Sequence, residues 1–435
     1  MAFFLTFAKI IVYQMDITFI DLFAGIGGIR KGLEMAITAQ GNNPVCVFTS
    51  EIKPHAISVL KQNHPDEVIS GDITQINASD IPSFDILCAG FPCQAFSSAG
   101  KREGFADTRG TMFFEVERIL SEKRPKGFIL ENVEGLVNHD KGRTLKVILH
   151  RLTSIGYKVS YRVLNSKYFG VPQERKRIYL VGTFKKKVNL DNFPVVEKTL
   201  VEILETGKPT AKTKFVKTLL SKYPIEQLYG KSIKDKRGGA ENIHSWDIDM
   251  KGKTTKKEKE LLNKILTERR KKKWAEEYGI DWMDGMPLTK EMIESFYPCK
   301  NLEGMLNRLV DKGYLVYEHP KKIVVVKGVS HREQDPTLPK GYNIVSGKLS
   351  FEINKILDPN DIAPTLVAMD MQKLYVVDGH GLRKLTLKEG LRLFGYPDDF
   401  KFEINEKDGF DLLGNTVVVP VIQAVSNRLL EAIQN

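Results

Sequence analysis

Across the first 182 residues, apolar and polar positions alternate between two periods. Short apolar runs at Thr18–Phe23, Val45–Phe48, Asp85–Ala89, Gly127–Leu130, Val159–Leu164 and Ile178–Val181 predict strands. Helical spacing between them predicts helices near Ile29–Ala39, His55–His64, Thr111–Glu122 and Thr144–Ile155. Strand and helix in regular alternation specify an α/β fold, a doubly wound and mostly parallel sheet with helices on both faces. After Gly182 the alternation stops and lysines become denser. From about Asp361 ordered patterns resume, ending in the helix-like stretch Val419–Ile433.

Two turns at the carboxyl ends of predicted strands carry chemistry. The first strand runs into Phe23-Ala24-Gly25-Ile26-Gly27-Gly28, where glycines let a ligand approach the backbone closely. Glu51, after the second strand, is placed to take a ribose diol, and Gly71-Asp72-Ile73 sets another acid at an edge. Two acids without a phosphate-cradling lysine suit a nucleoside ligand that has no pyrophosphate. Taken singly, each acid would equally serve as a helix cap. The second turn is Gly90-Phe91-Pro92-Cys93-Gln94, which presents a thiol at the end of Asp85–Ala89 and is followed by a loop containing Gly100, Gly104 and Gly110. A thiol on such an elbow suggests covalent catalysis under a closing loop. Alone, a free cysteine more often fills a core, and Cys88 inside the strand fits that role.

Composition sharpens the organisation. The 435 residues carry a net charge of +11. Residues 1–182 hold 22 Lys+Arg against 18 Asp+Glu (+4), residues 183–350 hold 34 against 23 (+11), and residues 351–435 hold 9 against 13 (−4). A basic middle between near-neutral flanks is the footprint of a polyanion-binding insert, although lysines over Lys251–Lys273 also suit a solvated helix face. The four cysteines, Cys46, Cys88, Cys93 and Cys299, show no CxxC spacing. That usage predicts a reducing cytoplasm, with neither disulfides nor structural zinc. The apolar start, Ala2–Tyr13, has its only basic residue, Lys9, in the middle and is read as neither signal peptide nor anchor, so no membrane association is expected. Met1–Gln14 is read as a peripheral extension.

Nine ordered blocks resemble the DNA (cytosine-5) methyltransferases. They are the FxDLFAGxGG turn, Glu51, Gly71-Asp72, Gly90–Gln94, Arg109-Gly110-Thr111, Glu131-Asn132-Val133, Gln173–Arg177, Arg383–Pro397 and Gly414-Asn415-Thr416-Val417. Only the middle insert lacks matches. The resemblance implies a Rossmann-like catalytic domain that uses S-adenosylmethionine and no metal, acting on a cytosine in double-stranded DNA, in the manner of the modification half of a bacterial restriction system. It implies Cys93 as the nucleophile toward carbon 6, and Glu131, with a raised pKa, as the acid at ring nitrogen 3. Arg177 would contact the target base and Arg175 the supporting network. Phe23, Gly25, Gly27, Glu51, Ile52, Asp72, Ile73, Pro92, Asn415 and Thr416 would line the cofactor pocket. Gln94, Ser97, Lys101, Arg109 and Gln173 would meet DNA.

These expectations place a catalytic domain at 1–184 and 405–435 and a target-recognition domain at 185–404. A paired endonuclease is expected only as a functional partner, and the chain is expected to work as a monomer. Within the insert, Pro287–Val326 reads as a winged helix-turn-helix. Thr289 would cap a short helix to Phe296, and Leu302, Met305, Leu306, Leu309 and Val310 form a one-sided stripe that ends at Gly313. Tyr314–Tyr317 and Ile323–Val326 would then form a hairpin. In that reading Asn301, Glu303, Asn307 and Arg308 face DNA, and Lys321 and Lys322 touch phosphates. An ordinary helical hairpin fits the same pattern. Two competing functions share the blocks: a tRNA methyltransferase, against which the long basic insert argues, and an inert DNA-binding repressor, against which intact Cys93, Glu131 and the arginine block argue.

Overall fold

The computed structural model describes residues 14–92, 112–236, 238–239, 241–326, 329–345 and 351–434. Cys93, Gln94, Ser97, Lys101, Arg109 and the start up to Tyr13 lie outside them.

The expected alternation forms a seven-stranded sheet. Its strands are β1 (Asp16–Leu22), β2 (Asn43–Ser50), β3 (Ile69–Ser70), β4 (Ile86–Ala89), β5 (Gly127–Val133), β6 (Lys158–Asn165) and β7 (Lys176–Thr183), in the order β3-β2-β1-β4-β5-β7-β6. β7 lies antiparallel between β5 and β6, and the other pairings are parallel. Helices α1 (Gly28–Ala39), α2 (Pro54–Asn63), α3 (Met112–Lys123) and α4 (Arg143–Ser154) connect the strands. Apolar side chains of α3 and α4 (Phe113, Val116, Ile119, Leu145, Ile148) close over Ile20, Leu22, Leu87, Phe128 and Leu180 on one sheet face.

Two compact units divide the chain. One comprises the residues through Glu205 together with Pro359–Gln372 and Leu385–Asn435; the other is Thr206–Asp358 with Lys373–Lys384. The boundary thus differs from the expected 185–404. Leu200 and Val201 donate backbone bonds to Asp361 and Pro359, and the Glu205 amide donates to Glu389, so these flanks pack with the first sheet. Lysine density marks surface chemistry and says little about packing, which is why it misplaced the boundary.

The second unit contains α5 (Lys214–Lys222), β8 (Ser232–Ile233), β9 (Asn242–Ile243), α6 (Lys256–Glu268), α7 (Lys273–Tyr278), α8 (Lys290–Glu294) and α9 (Leu302–Asp311). It continues with β10 (Leu315–Glu318), β11 (Lys321–Val326), β12 (Val329–Gln334), β13 (Gly341–Ile344), β14 (Lys355–Ile356), β15 (Leu374–Asp378) and β16 (Gly381–Lys384). Thr289 caps α8 through the Met292 amide, and Leu302, Met305, Leu306 and Leu309 of α9 are buried in one cluster with Trp246, Leu262 and Tyr314, as the stripe implied. The expected hairpin is different: β10 pairs with β13, and β11 pairs with β12. Pro320 stands between β10 and β11; it lacks an N–H and favours an extended predecessor, so the chain runs on instead of reversing there.

The first unit is completed by α10 (Ala368–Met371), α11 (Leu387–Leu393), α12 (Glu406–Asn415) and α13 (Val419–Gln434). α13 packs on α1 so closely that a Cβ on Gly32 would stand 2.6 Å from that of Ile422. Among the described residues, Glu406–Gln434 is long and apolar enough to cross a membrane. About two thirds of its apolar window (67%) is buried, as in a core helix.

Candidate active site at the carboxyl edge of the first sheet

The turn after β1 builds one half of the site. Phe23 and Gly27 take positive φ (54° and 80°), and Gly27 caps α1 in the left-handed region, which a side chain would strain. Glu51 is held beside this turn. Its Oε2 accepts the Gly25 N–H at 2.7 Å, and its Oε1 accepts those of Ile52 and Lys53, both at 2.8 Å. A carboxylate has about four lone-pair positions, so one on Oε2 remains for a further donor. Ile52 exposes apolar surface next to it (66%), and nothing lies within 4 Å of where a Cβ on Gly25 would stand. Asp72 caps a short turn, its Oδ1 accepting from Thr74 N and Oγ1. The Ile73 side chain is a correction to the expected lining: it is buried in the core, so at most its backbone faces a ligand.

Residues near the end of the chain close the same turn. A Cβ on Gly28 would meet Tyr396 Oη at 2.6 Å, Val417 Cγ2 at 2.8 Å and Thr416 Oγ1 at 2.9 Å, so only glycine fits. Tyr396 and Thr416 share a buried hydroxyl–hydroxyl bond of 2.7 Å. Asn415 donates to the Asp411 carbonyl within its own helix. Arg175 locks this segment, donating to the carbonyls of Leu366 (2.8 Å), Gly414 (3.2 Å) and Thr416 (2.9 Å). Its guanidinium is buried, and burial together with neighbouring Arg177 lowers its pKa.

The other half lies where β4, β5 and β7 meet. Glu131 is within β5, opposite Tyr179 of β7, so Arg177, two residues from Tyr179, shares its face. Arg177 Nε lies 3.1 Å from Glu131 Oε1. Burial raises the Glu131 pKa against the opposing pull of Arg177 and Arg175. The carboxyl also faces the elbow after β4, with Oε2 3.9 Å from a Cβ position on Gly90. Asn132, whose role the sequence left unassigned, donates to the Phe91 carbonyl at 3.2 Å and fastens that elbow to β5. Pro92, the last described residue of the elbow, is exposed.

One expected DNA contact is corrected. Gln173 is fully buried and donates to the Leu393 carbonyl at 2.9 Å, so it bonds protein backbone and faces no solvent. Arg308 of α9 is about half exposed and lies 3.3 Å from Glu258, a carboxylate only 1% exposed, which engages it within the second unit. One buried group escaped the sequence reading altogether. Asp21, in the middle of the first block, has no hydrogen-bond partner on either oxygen among the described residues, and burial pushes its pKa up to about 8 despite Arg30.

A mostly parallel sheet with a glycine turn, a carboxylate fixed beside it and a buried glutamic acid on one edge is consistent with a Rossmann-like methyltransferase fold. The C-5 cytosine-specific DNA methylase family model matches residues 17–431, and the chain belongs to that family. It is a DNA cytosine methyltransferase, of a family that is generally dependent on S-adenosylmethionine. Type II methyltransferase M.NlaIV of Neisseria lactamica is 64% identical over 97% of this chain and 100% of its own length. M.NgoBV of Neisseria gonorrhoeae is 63% identical over the same shares, and M.BanI of Aneurinibacillus aneurinilyticus is 42% identical over 96% of each. Among solved structures, the S. pombe Dnmt2 methyltransferase shares the fold at TM-score 0.52 and 16% identity, over 95% of this chain and 98% of that one.

Proposed function

We propose that the chain methylates carbon 5 of a cytosine flipped out of double-stranded DNA at a fixed base sequence, and that it is the modification half of a type II restriction system. The observation that carries the chemistry is the buried Glu131, held by Arg177 and facing the elbow that leads to Cys93. The Cys93 thiolate adds to carbon 6 of the ring while Glu131 gives its proton to ring nitrogen 3. Carbon 5 thereby becomes nucleophilic, and S-adenosylmethionine supplies the methyl group. Loss of the carbon-5 proton to solvent base then expels the thiolate, and ring nitrogen 3 gives its proton back to Glu131 as the aromatic ring is restored. Arg177 orients Glu131 and reaches the base carbonyl, and Arg175 holds the Gly414–Thr416 segment in place.

The cofactor-side residues fit such a donor. Glu51 keeps a lone pair for a ribose hydroxyl, Ile52 offers an apolar face to the adenine, and the Gly25 backbone is open to close approach. Asp72, Pro92, Phe23, Asn415 and Thr416 complete the lining. Extrusion of the base is required because its reacting atoms are covered in the stack. The second unit selects the sequence. The protein works as a monomer in the cytoplasm, alongside a cognate endonuclease that it does not need to touch.

Bisulfite sequencing of plasmid from cells making the protein should reveal one methylated cytosine within a constant sequence. Duplex carrying 5-fluorocytosine at that position should trap a covalent adduct with the native chain, and none with Cys93→Ala, which should still bind DNA. Methylation by the alanine variant would refute the assignment of the nucleophile.

A further inference from the structure

The second unit offers DNA two different surfaces: helix α9 and the ribbon β11–β12. Their polar groups are not equally available. On α9, Glu303 is paired with Lys290 at 2.9 Å, and the Asn307 carbonyl accepts from Tyr342 Oη at 3.1 Å. Arg308, itself about half exposed, is paired at 3.3 Å with Glu258, which is 1% exposed and also holds Lys312 at 3.2 Å. Drawing Arg308 toward a phosphate would leave that buried carboxylate with Lys312 alone, a larger cost than breaking a solvated pair. Asp311, the other exposed charge on α9, is acidic.

The ribbon is the reverse case. Lys321 and Lys322 reach Glu318 at 3.7 Å and Asp335 at 3.4 Å, distances too long for good hydrogen bonds, with each lysine about half exposed and each carboxylate 13–15% exposed. Pairs of that kind are worth about 0–1 kcal/mol and exchange readily for a phosphate. The register sets Lys321 opposite Gln334 and Ile323 opposite Arg332, so these four side chains share one face. Ile323 is 58% exposed, and the side chains of Arg332 and Gln334 are exposed with no hydrogen-bond partner among the described residues. An isolated two-stranded ribbon is marginally stable in water, and an exposed apolar residue flanked by cations on it marks a docking face.

We infer that this face of β11–β12, and not α9, enters the DNA major groove and reads bases. The inference rests on the reading of the second unit as the sequence-selecting one. A two-stranded ribbon fits the major groove, and six residues span about 20 Å, roughly six base pairs. Arg332 matches the paired acceptors of guanine, Gln334 the acceptor and donor of adenine, and Ile323 the methyl of thymine. Lys321 and Lys322 then bind flanking phosphates.

The test compares three variants of the whole chain on the duplex identified by bisulfite mapping and on duplexes with each base pair replaced in turn. Arg332→Lys keeps the charge and loses the two-pronged contact; Arg332→Ala/Gln334→Ala loses both readers; Arg308→Ala probes the helix. The ribbon variants should lose about ten- to a hundred-fold in kcat/KM on the cognate duplex and stop discriminating at one or two positions, with melting temperature unchanged. Arg308→Ala should melt earlier and discriminate normally. Retention of native discrimination by both ribbon variants, or its loss in Arg308→Ala, would overturn the inference while the functional reading stands. A native chain that methylates no duplex would overturn that reading and the ribbon inference together.

Discussion

The two units handle polar side chains in opposite ways. At the edge of the first sheet, the groups that matter are bonded into the protein: Glu51 to three backbone amides, Arg175 to three carbonyls, Glu131 to Arg177. On β11–β12 of the second unit, Arg332 and Gln334 make no such bonds among the described residues, and the half-exposed lysines make only loose ion pairs of 3.4–3.7 Å. Chemistry on a single invariant ring favours donors and acceptors set before the substrate arrives. Sequence reading needs side chains whose partners can be exchanged for base edges at little cost. The contrast shows where variation between enzymes of this kind is tolerable: a reader can change without disturbing a core, whereas a catalytic acid cannot.

The sharpest way to break this contrast is to disable the fixed half alone. Glu131→Gln should lower kcat about 10²- to 10⁴-fold without altering which sites are methylated. In the proposed mechanism the reacting form of this carboxyl is the protonated one, which burial favours by raising its pKa. Native kcat/KM should therefore be level at low pH and fall as pH rises through that raised pKa. The glutamine variant should lack that limb. A native-like pH profile in the variant would take Glu131 out of the proton transfer.

A smaller effect should come from the ribbon. Lys321→Ala/Lys322→Ala should weaken binding to all sequences alike and reduce the slope of log affinity against log salt by up to about 2. An unchanged slope would remove both lysines from the phosphates.

The mildest effect concerns Asp21, which sharpens the picture of a pre-bonded edge by being its exception. Its folded pKa, about 8, lies above the ordinary aspartate value of 3.8, so between those values the native state holds a proton that the unfolded chain has released. Stability therefore declines as pH rises through that window. Asp21→Asn should melt roughly 2–4 °C above the native protein near pH 8. The gain should shrink as pH falls toward 4. A constant offset across pH would mean that the carboxyl does not titrate in that window.

Much of the first unit was legible because strand period and motif spacing report local geometry, and β1, β2 and β5–β7 appear within a few residues of expectation. β3 has only two residues, too few to show a period, and the reversed direction of β7 leaves no mark on periodicity. Residue type was a poorer guide to burial. Gln173 looked like a free ligand because it is polar, yet it is fully buried and a carbonyl within its own unit claims it. Asn132 and Tyr396 lay inside recognised blocks, but their partners, Phe91 and Thr416, are brought near only by folding. The pairing of β11 with β12 was equally hidden, since it depends on where Pro320 keeps the chain from turning.

Gly28 sits against Tyr396, Thr416 and Val417, so the turn proposed to hold the methyl donor is walled by residues from early and late in the chain. During translation the first strands emerge long before those walls exist, and the pocket stays incomplete until residues past Thr416 have left the ribosome. On the proposed assignments, a product cut short before that point but after Cys93 would carry the nucleophile without a finished donor pocket and would be inert. In a cell that also makes a matching nuclease, the protective activity would switch on late in each round of synthesis, so the timing of protection depends on the rate of elongation as much as on promoter strength.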